Sequence, residues 1–117
     1  MDQSLALQAL SALCHETRLS LVRLLVPAGE DGLAQGEIAR RLEVSASGLA
    51  FHLSLLEKAG LVTARRESRN VYYTASTEGL GNLLHYVLTD CCCAHPHIFA
   101  CCSGNTAPPV TLPRQAR

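Results

Sequence analysis

"GEIARRLEVSASGLAFHLSLLEKAGLV", residues 36–62, decides the fold. It reads as a short helix, a turn and a longer helix. In "QGEIARRL" (35–42) Ile38, Ala39 and Leu42 fall inward at helical spacing. "EVSAS" (43–47) is a turn, and Ser45 or Ser47 has the side-chain oxygen that caps a following helix. From Ala46 to Ala59, Leu49, Leu53 and Leu56 recur at i, i+4 and i+7, one stripe facing a core. Gly60 stands at the C′ position that ends such a helix. Two helices joined by a tight turn make a helix-turn-helix.

The flanks complete the unit. "LVTARR" (61–66) and "NVYYTA" (70–75) are rich in β-branched and aromatic residues, with "ESR" between them. They read as a β-hairpin with a basic tip. On the N-terminal side, Leu5–Leu13 is a helix with Leu5, Leu10 and Leu13 near one face. "HETRLSLVRLLV" (15–26) is a second, apolar over much of its circumference and stopped by Pro27 and Gly29. "AGEDGLA" is a loop. Thr77–Asp90 returns to helix with Leu80, Leu83, Leu84, Val87 and Leu88. The expected fold class is mainly α with a two-stranded β wing, a winged helix-turn-helix. Residues 1–92 form this domain, and 93–117 a cysteine-rich segment with a Pro-containing tail.

Composition bounds the rest. A chain of 117 residues is one domain, or one domain with a tail. It is 48% hydrophobic but 4% aromatic, with no Trp, so its core is Leu, Val and Ala. At this size dimerisation adds useful burial. No run approaches the roughly 18 apolar residues of a membrane span. The start, "MDQSLALQAL", lacks the basic flank of a signal peptide. The expectation is a cytoplasmic protein without a membrane partner. Formal net charge is zero, so bulk charge gives no argument for nucleic acid. Local charge does: Lys58, Arg65, Arg66 and Arg69 stand against Glu67 alone between positions 58 and 69.

Three stretches carry a family resemblance: "LCHETRLSLVRLL" (13–25), "GEIARRLEVSASGLAFHLSLLEKAGLV" (36–62) and "RRESRNVYYTA" (65–75). With the following helix they make residues 5–92 resemble the ArsR/SmtB family of winged-helix repressors. That resemblance implies a homodimer, paired through the first and last helices, that leaves operator DNA on binding a metal or metalloid. "LTDCC" (88–92) further resembles the arsenic-responsive branch, which carries a Cys-Cys pair there and another Cys some residues on. No Cys-x-Cys precedes the turn, and the zinc-sensing Asp/His pattern of the last helix is missing.

In a helix-turn-helix the second helix enters the major groove of double-stranded DNA. Ser47, Phe51, Ser54 and Lys58 lie opposite the leucine stripe. Ser47 and Ser54 suit hydrogen bonds to bases or phosphates. Phe51 either meets a thymine methyl or packs under the wing. His52, near the buried edge, reads as a hydrogen-bonded structural residue. Arg65, Arg66 and Arg69 place charge at phosphates or a minor groove, with Arg40 and Arg41 beside the turn.

Five of the six cysteines crowd into "TDCCCAHPHIFACCSG" (89–104). Reduced cytosolic thiols are more often ligands or reactive groups than disulfides. Thiolates select soft ions. Trivalent arsenic (arsenite) or antimony is satisfied by three thiolates: Cys91, Cys92 and, beyond Pro96, Cys101 or Cys102. Zinc, the competing ion, takes four ligands. Cys93, His95, His97 and Cys101 can be written as such a set, though no C-x-x-C occurs. Two further readings are a redox trigger and a reduced, unstructured tail. An enzyme is not expected, because no orienting acid or oxyanion loop accompanies the Cys/His pairs. Cys14 reads as a small buried hydrophobe.

Taken together, the sequence predicts a metalloid-responsive repressor that trivalent arsenic or antimony releases from DNA through Cys91, Cys92, Cys101 and Cys102. The alternative is a redox-sensing or zinc-responsive winged-helix repressor.

Overall fold

The Ser45 hydroxyl accepts a 3.1 Å hydrogen bond from the Gly48 N–H and opens α4 (Ala46–Lys58). Of the two serines able to cap this helix, Ser45 does so. A Cβ on Gly48 would press on the capping oxygen at 3.0 Å, so the small residue keeps the cap intact. Leu49, Leu53 and Leu56 are all buried, as their spacing predicts. Each such leucine contributes about 1.5–3 kcal/mol on burial.

The structure, a computed structural model, describes residues 1–104. The Pro-containing tail of the sequence reading, from 105 on, lies outside the described residues. The chain forms two compact units, Met1–Leu83 and the remainder from Leu84.

In the first unit α1 (Gln3–Leu13) starts from an Asp2 cap, and α2 (Glu16–Ala28) from His15. A 3₁₀ turn (Gly29–Asp31) leads to β1 (Leu33–Ala34) and α3 (Gln35–Leu42). Pro27 sits inside the last turn of α2, and Gly29, at φ +71°, ends the helix. Then come α4, β2 (Val62–Glu67), β3 (Asn70–Ala75) and α5 (Thr77–Tyr86), whose last residues enter the second unit. Leu21 and Leu25 of α2, Ile38 of α3, the α4 stripe, Leu61, Val62 and Leu83 form the core.

The expected hairpin is present. Val62 pairs with Ala75 and Glu67 with Asn70 across a two-residue turn, Ser68–Arg69. Thr63 and Thr74, directly opposite, share a 2.7 Å hydroxyl hydrogen bond. The "AGEDGLA" loop adds a third, two-residue strand: β1 pairs with β3 in the order β1-β3-β2. Gly32 (φ +68°) permits this approach, since a side chain there would run into the Tyr73 carbonyl.

Helix α1 departs from expectation. Its buried residues are Ala6, Ala9 and Ala12, while Leu5, Leu7 and Leu10 are exposed. Small side chains let α1 approach its neighbours closely, and the leucines are left facing outward. Cys14, expected in the core, is the exposed C-cap of α1.

In the second unit α5 loosens into a π turn (Val87–Cys91). The Cys92 N–H reaches back five residues to the Val87 carbonyl (3.0 Å). Thr89 Oγ1 donates to the His85 carbonyl at 2.7 Å, a back-bond that bends helices. Pro96, read in the sequence as a breaker, instead begins α6 (Pro96–Ser103), where its missing N–H costs nothing. Among the described residues no helix is long and apolar enough to cross a membrane.

Candidate nucleic-acid interface and thiol segment

Helix α4 presents Ser47, Phe51, Ser54 and Lys58 on its exposed side, opposite the buried stripe. Phe51 is 60% exposed and meets the His52 ring edge-on (5.4 Å between centroids). It does not pack under the wing, so an apolar ring stands in the open on the face that carries the two serines.

The wing arginines differ from one another. Arg65 is held by its own protein. Its guanidinium donates to the Glu30 and Asp31 carbonyls (3.4 and 3.3 Å) and to Glu67 (3.1 Å), and lies 5.0 Å from the centre of the Tyr72 ring. It is a strut between β2 and the loop before β1. Arg66 and Arg69 have no side-chain hydrogen bond or salt bridge among the described residues. Arg69 also lines a groove with Gln35 and Gly36 of α3 and Ala46 of α4, beside the helix-turn-helix. On α3, Glu37 holds both Arg40 (2.6 Å) and Arg41 (2.7 Å), and these hydrogen bonds lower its carboxyl pKa. The sequence gives no sign of which arginines are tied, because the partners of Arg65 are backbone carbonyls more than thirty positions away.

His52, half-buried on α4, meets the start of α2. Its Nδ1 lies 3.0 Å from Nη1 of Arg18, and its ring is 4.5 Å from that of His15. Burial first, then the His15 and Arg18 charges, hold its pKa below the ordinary value. The structural part read for His52 agrees with this geometry. The partner Arg18 carries no sequence signal.

In the second unit all five clustered cysteines are free thiols. Cys92 is half-buried and the other four are exposed. Partial burial, then a hydrogen bond with Cys91, raises the Cys92 thiol pKa and favours its protonated form. Cys93 and Ala94 both adopt φ +54°, an unusual pair of left-handed residues that reverses the chain before α6. His95 Nδ1 caps α6 by accepting from the His97 N–H at 3.1 Å. Cys101 and Cys102 are consecutive on α6, so their side chains diverge by about 100°. Cys91, Cys92 and Cys93 are consecutive in the chain, and Cys101 and Cys102 follow on α6. Among the described residues no three His, Cys, Asp or Glu side chains are gathered into a metal site.

Residues 13–65 match the family model described as "Helix-turn-helix domain". The chain is 37% identical over 83 residues to the transcriptional activator HlyU of Vibrio cholerae, spanning 68% of this chain and 74% of that protein. Against the arsenical resistance operon repressor of Escherichia coli it is 35% identical, spanning 65% of this chain and 63% of the repressor. This chain belongs to the ArsR family of winged-helix transcriptional regulators. Solved structures of the family share its fold. Reduced HlyU from V. cholerae has a TM-score of 0.58 at 36% identity, covering 72% of this chain and 86% of that one. The homodimeric winged helix-turn-helix DNA-binding domain from Mycobacterium bovis has a TM-score of 0.61 at 29% identity, covering 74% and 80%.

Proposed function

We propose that the protein is a repressor that binds operator DNA as a homodimer and lets go when trivalent arsenic or antimony binds its C-terminal thiols. The observation that carries this reading is a set of five free thiols within twelve residues, following directly on an ArsR-family winged helix. Ser47, Phe51, Ser54 and Lys58 are the groups we assign to the major groove, and Arg66 and Arg69 those we assign to phosphates. Arg65, tied to Glu30 and Asp31, serves by holding the wing in shape. Leu5, Leu7 and Leu10, exposed on α1, suit a partner subunit, as the M. bovis homodimer also suggests.

Cys91 and Cys92 supply two sulfurs, and Cys101 or Cys102 the third. With no such group preassembled, binding must gather the third thiol from α6. The π turn and the reversal at Cys93–Ala94 are where the backbone gives most readily. Release then follows from linkage. The ion must bind the DNA-free dimer geometry more tightly than the DNA-bound one, and DNA must weaken ion binding by the same factor.

Proton counting separates the ions. Arsenous acid, As(OH)₃, forms each As–S bond from a thiol with loss of water, so three thiols yield three waters and no protons. Zinc binding to thiols releases a proton from each. The test is calorimetric titration in buffers of different ionisation enthalpy, alongside release of a labelled duplex selected from a randomised pool. Metalloid sensing predicts release by arsenite without proton discharge. Release by zinc alone, with protons, overturns it.

A second reading, a redox trigger, is favoured by the crowding of free thiols at Cys91, Cys92 and Cys93. Release by peroxide without any ion, and none by arsenite under reduction, would select it.

A further inference from the structure

Arg18 of α2 stands where three helices meet. Its Nε donates to the Ala12 carbonyl near the end of α1 (2.5 Å), and its Nη1 meets His52 Nδ1 on α4 (3.0 Å). One half-buried side chain thereby fastens the reading helix to both α1 and α2. The His15 ring, at a centroid distance of 4.5 Å and a tilt of 40°, covers His52 from the start of α2. His15 Nδ1 is itself an acceptor, for the Thr17 N–H (3.1 Å).

The proton roles follow from the groups present. A guanidinium has five donors, no acceptor, and does not deprotonate in proteins. His52 Nδ1 must therefore offer a lone pair, and the neutral ring carries its proton on Nε2. Protonation at Nδ1 would set N–H against N–H and a second positive charge beside the first. Only burial, His15 and Arg18 act on His52, and no acid is among them. Next to Arg18, α1 contributes the uncharged Gln8 and Ser11, and α4 adds Lys58, another cation. Glu37, Arg40 and Arg41 of α3 are paired with one another, as are Arg65 and Glu67 of β2.

We propose that Arg18 is a positioning residue for the reading helix, acting through the neutral imidazole of His52, so that acid unseats α4 and weakens DNA binding. This rests on α4 being the helix that reads DNA. Folding favours the neutral ring, whose pKa lies below the ordinary 6.5. Its contribution is complete above pH 6.5 and is lost as pH falls through the lower folded value.

The test uses the full chain and a duplex selected from a randomised pool by the wild type at pH 7.5. Affinity and thermal midpoint are followed down to pH 5.5 for wild type, His52→Asn, His52→Ala and Arg18→Ala, and the ¹⁵N shifts of His52 for wild type and Arg18→Ala. The asparagine amide oxygen stands where Nδ1 stood and does not titrate. The other histidines are common to every variant, so the comparison reads the site around His52.

The wild type should lose about tenfold more affinity across this range than His52→Asn, the scale of one charge-assisted hydrogen bond. His52→Asn should bind more tightly than His52→Ala at pH 7.5. Arg18→Ala should lack the extra acid step. The ¹⁵N shifts should show an unprotonated Nδ1 at pH 7.5. Equal pH dependence in wild type and His52→Asn, or a protonated Nδ1 at pH 7.5, overturns the proposal. A wild type that binds no duplex at either pH overturns the DNA-reading of α4, and this role with it.

Discussion

The two ends of the molecule are built on opposite terms. Between Met1 and Leu83 a core from Leu21 and Leu25 through Ile38 and the α4 stripe to Leu61, Val62 and Leu83 is buried to 2% exposure or less, and the cap, stripe and hairpin agree on one arrangement. From Leu84 to the last described residue no side chain is buried. The helix widens into a π turn, two consecutive residues take left-handed backbone, and four of five thiols face outward. The first region holds a shape. The second keeps its thiols free and sets two left-handed residues side by side, where the first region has them singly, at Glu43 and Ser68. The proposed roles match this difference: packing stabilises the unit that would present a fixed face to DNA, and leaves unburied the segment that would close on an ion.

Substitution should expose this contrast. Leu53→Ala, in the middle of the α4 stripe, should lower unfolding free energy by about 2–5 kcal/mol in a denaturant titration. Cys93→Ser should change it by less than about 0.5 kcal/mol. Comparable losses at the two sites would break the comparison. Ser45→Ala should cost about 1 kcal/mol through the lost cap, and more than Ser47→Ala, whose hydroxyl does not cap the helix. The wing offers the finest distinction. Arg66→Ala and Arg69→Ala should each weaken duplex binding and reduce the slope of log affinity against log salt by about one. Arg65→Ala should alter the wing, read as faster amide exchange in β1 and the Glu30–Asp31 loop, with little change in that slope. An equal salt effect from all three would dissolve the distinction between strut and contact.

Much of the first region was legible in the sequence, because helical and strand periodicity report directly on burial. The Leu49/Leu53/Leu56 stripe, Ile38 and the hairpin follow from spacing alone. What escaped has physical causes. In α1 hydropathy ranks Leu above Ala, but close helix packing selects small residues, so the alanines are buried and the leucines exposed. Strand β1 is two residues long, too short for any alternation to mark it. Pro96 reads equally as a stop or a first helical residue, and a histidine cap at His95 leaves little pattern. Contacts far apart in sequence, Arg65 to Glu30 and Arg18 to His52, leave no periodic trace. In the second region the five thiols were legible as residues and their arrangement was not, since a cluster of cysteines carries no periodic signal of which side chains meet.

The central claim is that the thiols after α5 govern the hold of the winged helix on DNA. Its most direct measurement is anisotropy of a labelled, selected duplex titrated with arsenite in a thiol-free phosphine reductant, for wild type and for the Cys91→Ser/Cys92→Ser double variant. Both should bind the duplex equally before arsenite. The wild type should then release it while the variant stays bound. A variant that lets go at the same arsenite concentration as the wild type would contradict the account.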